Sequence, residues 1–103
     1  MTQPNQDGYR FEDGALFVTK DLRQDFDLSF DQACRDLLES DAQDLTINLG
    51  DITYLNSTYI GMIAATFFQA QNRQKTLTVQ AKPAILQVLR AAGFDGFIQL
   101  EEH

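Results

Sequence analysis

The fold is decided by the stretch Leu45–Gly61, which reads LTINLGDITYLNSTYIG. Apolar and polar residues alternate over residues 44–49, which is typical of a half-buried strand. Gly50 and Asp51 interrupt the alternation, and residues 52–55 form a short apolar linker. The stretch therefore predicts the third strand of the chain, followed by a tight connection.

Three small polar residues, Asn56, Ser57 and Thr58, follow the linker. Such side chains favour helix N-termini because their oxygens accept hydrogen bonds from otherwise unpaired backbone amides. A second helix is therefore predicted from Ser57 to about Gln74. The positive end of its dipole would also favour an anion or a covalent phosphate. The same residues have two other interpretations. They are a plain helix cap, or they bind a small ligand such as an anion or a nucleotide.

The residues before this stretch predict a hairpin and a first helix. Apolar residues alternate over residues 9–20 on either side of the turn at residues 12–14. Ser29 and Gln32 match a capping box, and Leu28 and Ala33 match a hydrophobic staple. The predicted inward stripe of this helix is Phe30, Ala33, Cys34, Leu37 and Leu38.

The residues after this stretch predict a fourth strand at 76–80 and a third helix at Pro83–Ala92, followed by Gly93. The predicted inward residues of this helix are Ile85, Val88, Leu89 and Ala92. Residues 94–100 predict a turn and an edge strand. Strands that alternate with helices indicate an α/β fold with parallel crossovers in a mixed sheet.

Length and charge limit the classes of function. The 103 residues with a net charge of −7 predict one acidic domain over 1–103, with 1–8 as a flexible terminus. Residues 1–51 carry twelve acidic and four basic side chains. This balance disfavours nucleic acid and suits a basic protein partner. The chain has no apolar run long enough to span a membrane and no signal-peptide pattern, so we expect no membrane insertion and a cytoplasmic location.

The sequence also disfavours an enzyme. Cys34 is the only cysteine and His103 the only histidine, which leaves no disulfide and almost nothing for a metal site. We expect Cys34 to be a small buried hydrophobe. Glycine-rich phosphate loops and nucleophile elbows are absent from the sequence. We therefore predict no catalytic residues, no metal and no cofactor.

The second helix has more apolar surface than one face can bury. Ile60, Ile63, Ala64 and Phe67 form the predicted inner face, and Tyr59, Met62, Ala65 and Phe68 fall partly or wholly outside it. Either a neighbouring helix covers the surplus, or it is a protein-docking patch beside Ser57. Tyr59, Met62 and Ala65 are the predicted partner-binding residues.

The stretch Leu45–Gly61 resembles the signature of the STAS domains, the sulfate transporter and anti-sigma factor antagonist family. The family pattern is an apolar strand, a short linker and then Asp-Ser-Ser/Thr-Gly-Leu/Ile-Gly opening a helix. Residues 85–94 resemble the last amphipathic helix of the family and its terminal glycine. The resemblance implies a single STAS-like domain with a mixed four- to five-stranded sheet and helices packed on one side.

In single-domain members, the resemblance implies a partner switch. An anti-sigma factor that is also a serine kinase phosphorylates the residue matching Ser57, with Thr58 as a possible second acceptor. A PP2C-type phosphatase removes the phosphate, and the unphosphorylated domain binds the anti-sigma factor. The chain departs from the pattern at Asn48 and Asn56, which stand where the family has Asp, and at Tyr59, which stands where it has Gly.

Two functions follow from this resemblance. The first is an anti-sigma factor antagonist whose partner binding is controlled by phosphorylation of Ser57. The second is a STAS subunit that is not phosphorylated and scaffolds a membrane transporter or a signalling complex. A monomer or weak dimer is expected in either case, since the chain is strongly acidic.

Overall fold

The computed structural model describes residues 8–23, 27–50 and 52–103. Five strands and three α-helices occur within these residues. In chain order the elements are β1 Tyr9–Glu12, β2 Ala15–Val18, α1 Leu28–Leu38, β3 Asp44–Asn48, α2 Ser57–Asn72, β4 Thr76–Ala81, α3 Pro83–Ala91, a 3₁₀ turn Phe94–Gly96 and β5 Gln99–Glu102. The predicted order of strands and helices is therefore confirmed. The flexible terminus predicted for residues 1–8 lies outside the described residues except for Gly8, whose carbonyl accepts from the Thr19 amide at 2.8 Å.

The strands form one mixed sheet in the order β1-β2-β3-β4-β5. β1 and β2 are antiparallel, and each later pair of neighbours is parallel. The hairpin turn needs two residues of positive φ, and Asp13 and Gly14 supply them at 34° and 79°. These pairings confirm the predicted hairpin and the parallel crossovers.

Strand alternation divides the sheet into an apolar and a polar face. Leu45 and Ile47 of β3 are buried, as are Leu77 and Val79 of β4, while the intervening threonines are partly exposed. This alternation places the core between one face of the sheet and the helices. The mixed sheet with helices on its apolar face agrees with the predicted fold class.

The start of α1 differs from the prediction. The cap lies two residues before the expected one, because the Asp27 carboxylate accepts a hydrogen bond from the Phe30 amide at 2.9 Å. Ser29 lies inside the first turn, and Leu28 is 66% exposed and does not act as a staple. The predicted inward stripe is confirmed, since all five of its residues are buried.

The side of α3 that is buried against the rest of the domain differs in part from the predicted side. Its buried residues are Ile85, Leu86 and Leu89, whereas Val88 and Ala92 are exposed. The stripe is centred between Ile85 and Leu86, about 110° around the helix from Val88. Gly93 follows with a φ of 90°, as its predicted place just past the helix end requires.

A buried carboxylate joins three of these elements. Asp27 is 5% exposed and accepts hydrogen bonds from the hydroxyls of Tyr9 and Tyr59, each at 2.7 Å. The Phe30 ring lies between the two tyrosines, with centroids 5.7 Å from Tyr9 and 5.1 Å from Tyr59. This anchor connects β1, the N-terminus of α1 and the first turn of α2.

Ionisation of Asp27 matches this environment. Burial alone would raise the pKa of its carboxyl, but the hydrogen bonds from Tyr59, the Phe30 amide and Tyr9, with the positive charge of Lys20, hold the pKa below its ordinary value. Burial and the bond to Asp27 raise the pKa of Tyr9 above its usual range. The pair is therefore a carboxylate and a neutral phenol at neutral pH.

Replacing Asp27 should destabilise the fold. We expect Asp27→Ala to lower the free energy of unfolding by roughly 3 kcal/mol, because it removes a helix cap and leaves two buried hydroxyls without an acceptor. Urea unfolding followed by circular dichroism measures the change. Asp41→Ala, at an exposed carboxylate, is the control. An Asp27→Ala protein as stable as this control would contradict the assigned anchor.

The same anchor predicts a pH dependence. A carboxyl whose folded pKa is depressed contributes stability above its unfolded pKa and loses it as pH falls through the folded value. Wild-type stability should therefore fall below about pH 4 more steeply than that of Asp27→Asn, since the unfolded pKa is about 3.9. Parallel pH profiles for the two proteins would exclude Asp27 as a source of acid sensitivity.

Candidate functional site

Helix α2 begins at Ser57, the residue predicted from the sequence. The Asn56 side-chain oxygen accepts a hydrogen bond from the Thr58 amide at 2.8 Å, and Asn56 is extended, with φ −69° and ψ 146°. Ser57 is the first residue of the helix, and both Ser57 and Thr58 are exposed. Asn56 is thus a helix cap, and two hydroxyl side chains stand at the positive end of α2.

The linker before Ser57 is held to the segment that follows β2. The Asn56 amide donates to the Leu22 carbonyl at 2.8 Å, and Leu22 and Leu55 form a parallel bridge. The Asp21 carboxylate accepts from the Thr53 amide at 2.8 Å, a bond that lowers the pKa of Asp21. The position of Ser57 is therefore fixed by contacts on the loop that precedes it.

A cation lies beside the same linker. The Arg23 guanidinium packs over the Tyr54 ring at 4.5 Å and pairs with Asp21 at 3.2 Å. The Arg23 carbonyl accepts from the Asn56 side-chain amide at 3.4 Å. Arg23 is well exposed, with 63% of its side-chain surface accessible. Its guanidinium is therefore paired with Asp21 and packed against Tyr54 of the linker.

Tyr59 is not a surface residue. It is 1% exposed, and its hydroxyl donates to Asp27. The buried stripe of α2 is Tyr59, Ile63, Thr66 and Ala70, whereas Ile60, Ala64 and Phe67 are only partly buried. The prediction of Tyr59 as a partner-binding residue is therefore wrong, because its ring completes the core and its hydroxyl satisfies a buried carboxylate. The Tyr59 side chain, which stands where the family pattern has glycine, points into the core and leaves Ser57 exposed.

Asn48 and Asn56 lie in different surroundings. For Asn48, the contacts are with the neighbouring strand and the following turn. Its side-chain nitrogen donates to the Gln80 side-chain oxygen at 3.1 Å, and its oxygen accepts from the Gly50 amide at 2.7 Å. It lines a hollow of about 450 Å³ with residues that include Arg10 and Lys20. Asn48 thus connects the end of β3 to the neighbouring strand β4. Both hydrogen bonds of its side chain are therefore made to Gln80 and Gly50 rather than to Ser57.

A groove of about 670 Å³ lies between α1 and α2 and begins at Thr58. Met62 and Ala65, the other two residues predicted to contact a partner, line it together with Gly61 and Gln69. The α2 side of the groove carries no acidic or basic side chain over Ser57–Asn72. The groove therefore begins beside the exposed hydroxyl pair and has an uncharged wall along α2.

The α1 side of the groove is charged. Asp31 pairs with Arg35 at 2.9 Å, and Asp36 accepts from the Gln32 amide nitrogen at 3.0 Å. At the far end, Arg73 donates to the Leu38 carbonyl at 3.2 Å and pairs with Glu39 at 3.1 Å. These bonds hold the C-terminus of α1 to the end of α2.

Cys34 lies under this groove as a buried thiol. It is 4% exposed, and burial raises its pKa to about 12, partly offset by a hydrogen bond with Thr66. Such a thiol stays protonated at neutral pH and lacks the thiolate that nucleophilic chemistry requires. The interpretation of Cys34 as a small buried hydrophobe is confirmed.

The sequence analysis missed an aromatic cluster between the end of α2 and the turn that follows α3. Phe68 and Phe97 are 53% and 43% exposed and stack at 5.8 Å with an interplanar angle of 17°. Phe67 lies 5.1 Å from Phe97, and Phe94 lies 5.6 Å from it. The adjacent pair at 67–68 was the available signal, but its partners come from a turn some 30 residues later.

No group of three or more His, Cys, Asp or Glu that could hold a metal occurs among residues 8–23, 27–50 and 52–103. In the same described part of the chain, none of the helices is both long and apolar enough to cross a bilayer.

Comparison with known proteins identifies the family. A family model described as "MlaB, STAS domain" matches residues 7–101. Among solved structures, the fold is similar to the 1.59 Å crystal structure of a candidate anti-sigma factor antagonist from Thermotoga maritima. That match has a TM-score of 0.74 and 15% sequence identity, and covers 92% of this chain and 85% of the other. No curated protein is significantly similar in sequence.

At this identity the structural match shows the fold, and the family model shows the membership. The model spans nearly the whole chain, including both β1 and β5. The chain therefore belongs to the STAS domain family.

Proposed function

We propose that this STAS domain is an anti-sigma factor antagonist that works by a partner switch at Ser57. The observation that carries the proposal is the position of Ser57, exposed at the first residue of α2 and adjacent to the groove that begins at Thr58. The unphosphorylated domain binds an anti-sigma factor through Met62, Ala65 and the neighbouring groove surface. Phosphorylation of Ser57 releases that partner.

The helix end is suited to carry a phosphate. The positive end of the α2 dipole favours an anion, and α2 has no acidic residue in its first turn. The cap at Asn56 is a neutral amide, so no carboxylate of this residue opposes the phosphate. Arg23 packs over Tyr54 in the preceding loop and pairs there with Asp21. A phosphate on Ser57 is therefore tolerated by the folded domain.

The same phosphate would oppose docking. It adds about two negative charges and a strong hydration requirement at the end of the groove, beside its uncharged α2 wall. A partner that covers the groove would have to remove water from that charge, which costs free energy unless the partner supplies a cation. One modification thus changes affinity while the fold stays the same.

The switch requires two enzymes as partners. A serine kinase, which is the anti-sigma factor itself in this scheme, needs access to the Ser57 hydroxyl, and a PP2C-type phosphatase needs access to the phosphate. The exposure of Ser57 and Thr58 supports both. Thr58 is a second acceptor of the phosphate in this proposal. Its backbone amide, not its hydroxyl, is bonded to the Asn56 cap.

A second function is a constitutive STAS subunit that scaffolds a membrane transporter or a signalling complex. The stacked Phe68 and Phe97 favour it, because they form an exposed apolar surface that is not part of the groove lining. Contact through this surface would not depend on the state of Ser57. Asn48 and Asn56, in place of the Asp residues of the family pattern, point in the same direction.

Modification of Ser57 can be measured on the protein isolated from its own cells. We expect a species heavier by one phosphate in wild type, absent from Ser57→Ala and retained in the matched Thr58→Val control. Intact-mass analysis with site mapping detects it. A protein that is unmodified under growth and stress conditions would overturn the switch and favour the constitutive subunit.

Partner binding completes this test. The unphosphorylated protein and Ser57→Ala should capture the same anti-sigma factor from those cells, and Ser57→Asp should bind it at least tenfold more weakly. Equal binding by all three proteins would contradict control by charge at Ser57. Capture of a transporter ATPase that is lost in Phe68→Ser and kept in Ser57→Asp would establish the second function.

A further inference from the structure

Among the residues that the structure describes, none requires glycine at position 61. Gly61 lies inside α2, is exposed and has no positive φ, and a Cβ added there would meet no atom within 4 Å. A glycine in a helix interior is less favourable than alanine because it loses more backbone freedom on folding. At this position the missing side chain instead opens the backbone of α2 to the groove that Gly61 lines.

The groove around Gly61 is long and shallow. Its α2 wall carries Thr58, Gly61, Met62, Ala65 and Gln69 along one side of the helix. From Thr58 to Gln69 the helix rises about 17 Å, which is three turns. Small residues at 61 and 65 are one turn apart and lower the wall at its centre. Another chain could therefore approach the backbone of α2 closely there.

The walls decide what kind of segment fits. Both are α-helices, so their backbone groups are already bonded within each helix. An extended peptide would find no free strand edge, from which such peptides gain much of their affinity. A helix needs only side-chain packing and can lay one face along a channel of this length.

The charged side chains that line the groove determine which side chains the partner helix should carry. Three acidic side chains, Asp31, Asp36 and Glu39, line the groove together with two arginines, Arg35 and Arg73. Asp31 and Glu39 are paired with arginines, whereas the contact found for Asp36 is the neutral Gln32 amide. A cation opposite Asp36 would complete this rim. A second copy of the chain, which also carries a net charge of −7, is a poor occupant.

We propose that the groove between α1 and α2 binds one amphipathic helix of a partner protein, with small apolar residues over Gly61 and Ala65 and lysine or arginine facing Asp36. The proposal rests on the proposed function in that the same end of α2 docks the partner. It adds the class of partner segment and the point of closest approach.

The probe is a synthetic, lactam-stapled 15-residue helix with alanine and leucine on one face and lysine along one flank. A matched peptide carries glutamate in place of every lysine. Both are titrated into isotope-labelled, unphosphorylated protein, and amide shifts are recorded by NMR. We expect saturable shifts from Thr58 to Gln69 with the lysine peptide, and at least tenfold weaker binding of the glutamate peptide.

Variants locate the contact. Gly61→Leu should weaken the lysine peptide at least tenfold because its side chain fills the groove, and Asp36→Asn should weaken it two- to fivefold, as for an exposed ion pair. Gly96→Leu is the matched control, since Gly96 is also exposed and free of neighbours at its Cβ but does not line the groove. Gly61→Ala should raise the melting temperature by a few degrees, which shows that the fold does not need this glycine.

Four results would overturn the proposal: no saturable shifts at 1 mM peptide, shifts centred on Phe68 and Phe97, equal binding of both peptides, or unchanged binding by Gly61→Leu. Because the titration uses unphosphorylated protein and leaves Ser57 unaltered, its failure is distinct from failure of the switch. An unmodified Ser57 in cells would leave the peptide result standing.

Discussion

The rest of the structure depends on one buried carboxylate. Asp27 accepts three hydrogen bonds, from the Tyr9 hydroxyl, the Phe30 amide and the Tyr59 hydroxyl, at 2.7, 2.9 and 2.7 Å. A charge so deeply buried would be costly without these donors, and each donor comes from a different element. The bonds therefore set β1, the start of α1 and the first turn of α2 relative to one another. The bond to Tyr59 joins the N-terminal ends of α1 and α2, the two helices that form the groove.

This anchor separates the two sides of α2 by function. On the inner side, Tyr59 and Ile63 belong to the core, and Tyr59 is bonded to Asp27. On the outer side, Ser57, Thr58 and Gly61 are exposed. Because the inner side holds the helix in place, the outer side can accept a charge or a partner without movement of the core. A surface that exists before binding loses less freedom when a partner docks.

Most of the fold could be predicted from local patterns. Period-two strands, the Asn56 cap and the Pro83–Gly93 pair each depend on residues close in sequence, and the structure contains all of them. The cap of α1 could not be chosen in this way, because Asp27 and Ser29 are both good caps. What favours Asp27 is Tyr59, 32 residues away, whose hydroxyl needs the same carboxylate.

The candidate site was predictable to the same extent. Ser57, Thr58, Met62 and Ala65 are on the surface expected of them, since helix periodicity alone places them there. Tyr59 was misplaced because the side with the most apolar residues, Ile60 to Phe67, was assigned to the core. The true inner stripe includes a tyrosine and Thr66, whose polar groups are satisfied internally by Asp27 and by the Met62 carbonyl. Those partners are features of the folded chain and not of the periodicity.

The bond between Tyr59 and Asp27 holds the first turn of α2 in place. Amide hydrogen exchange in Tyr59→Phe tests it most directly, because this change keeps the ring and removes only the hydroxyl. The account predicts that the amides of Gly61, Met62 and Ile63 exchange about tenfold faster than in wild type, as expected for loss of a bond to a charged group. The amides of β3 should change much less. Equal change throughout the chain, or no change in α2, would contradict the claim.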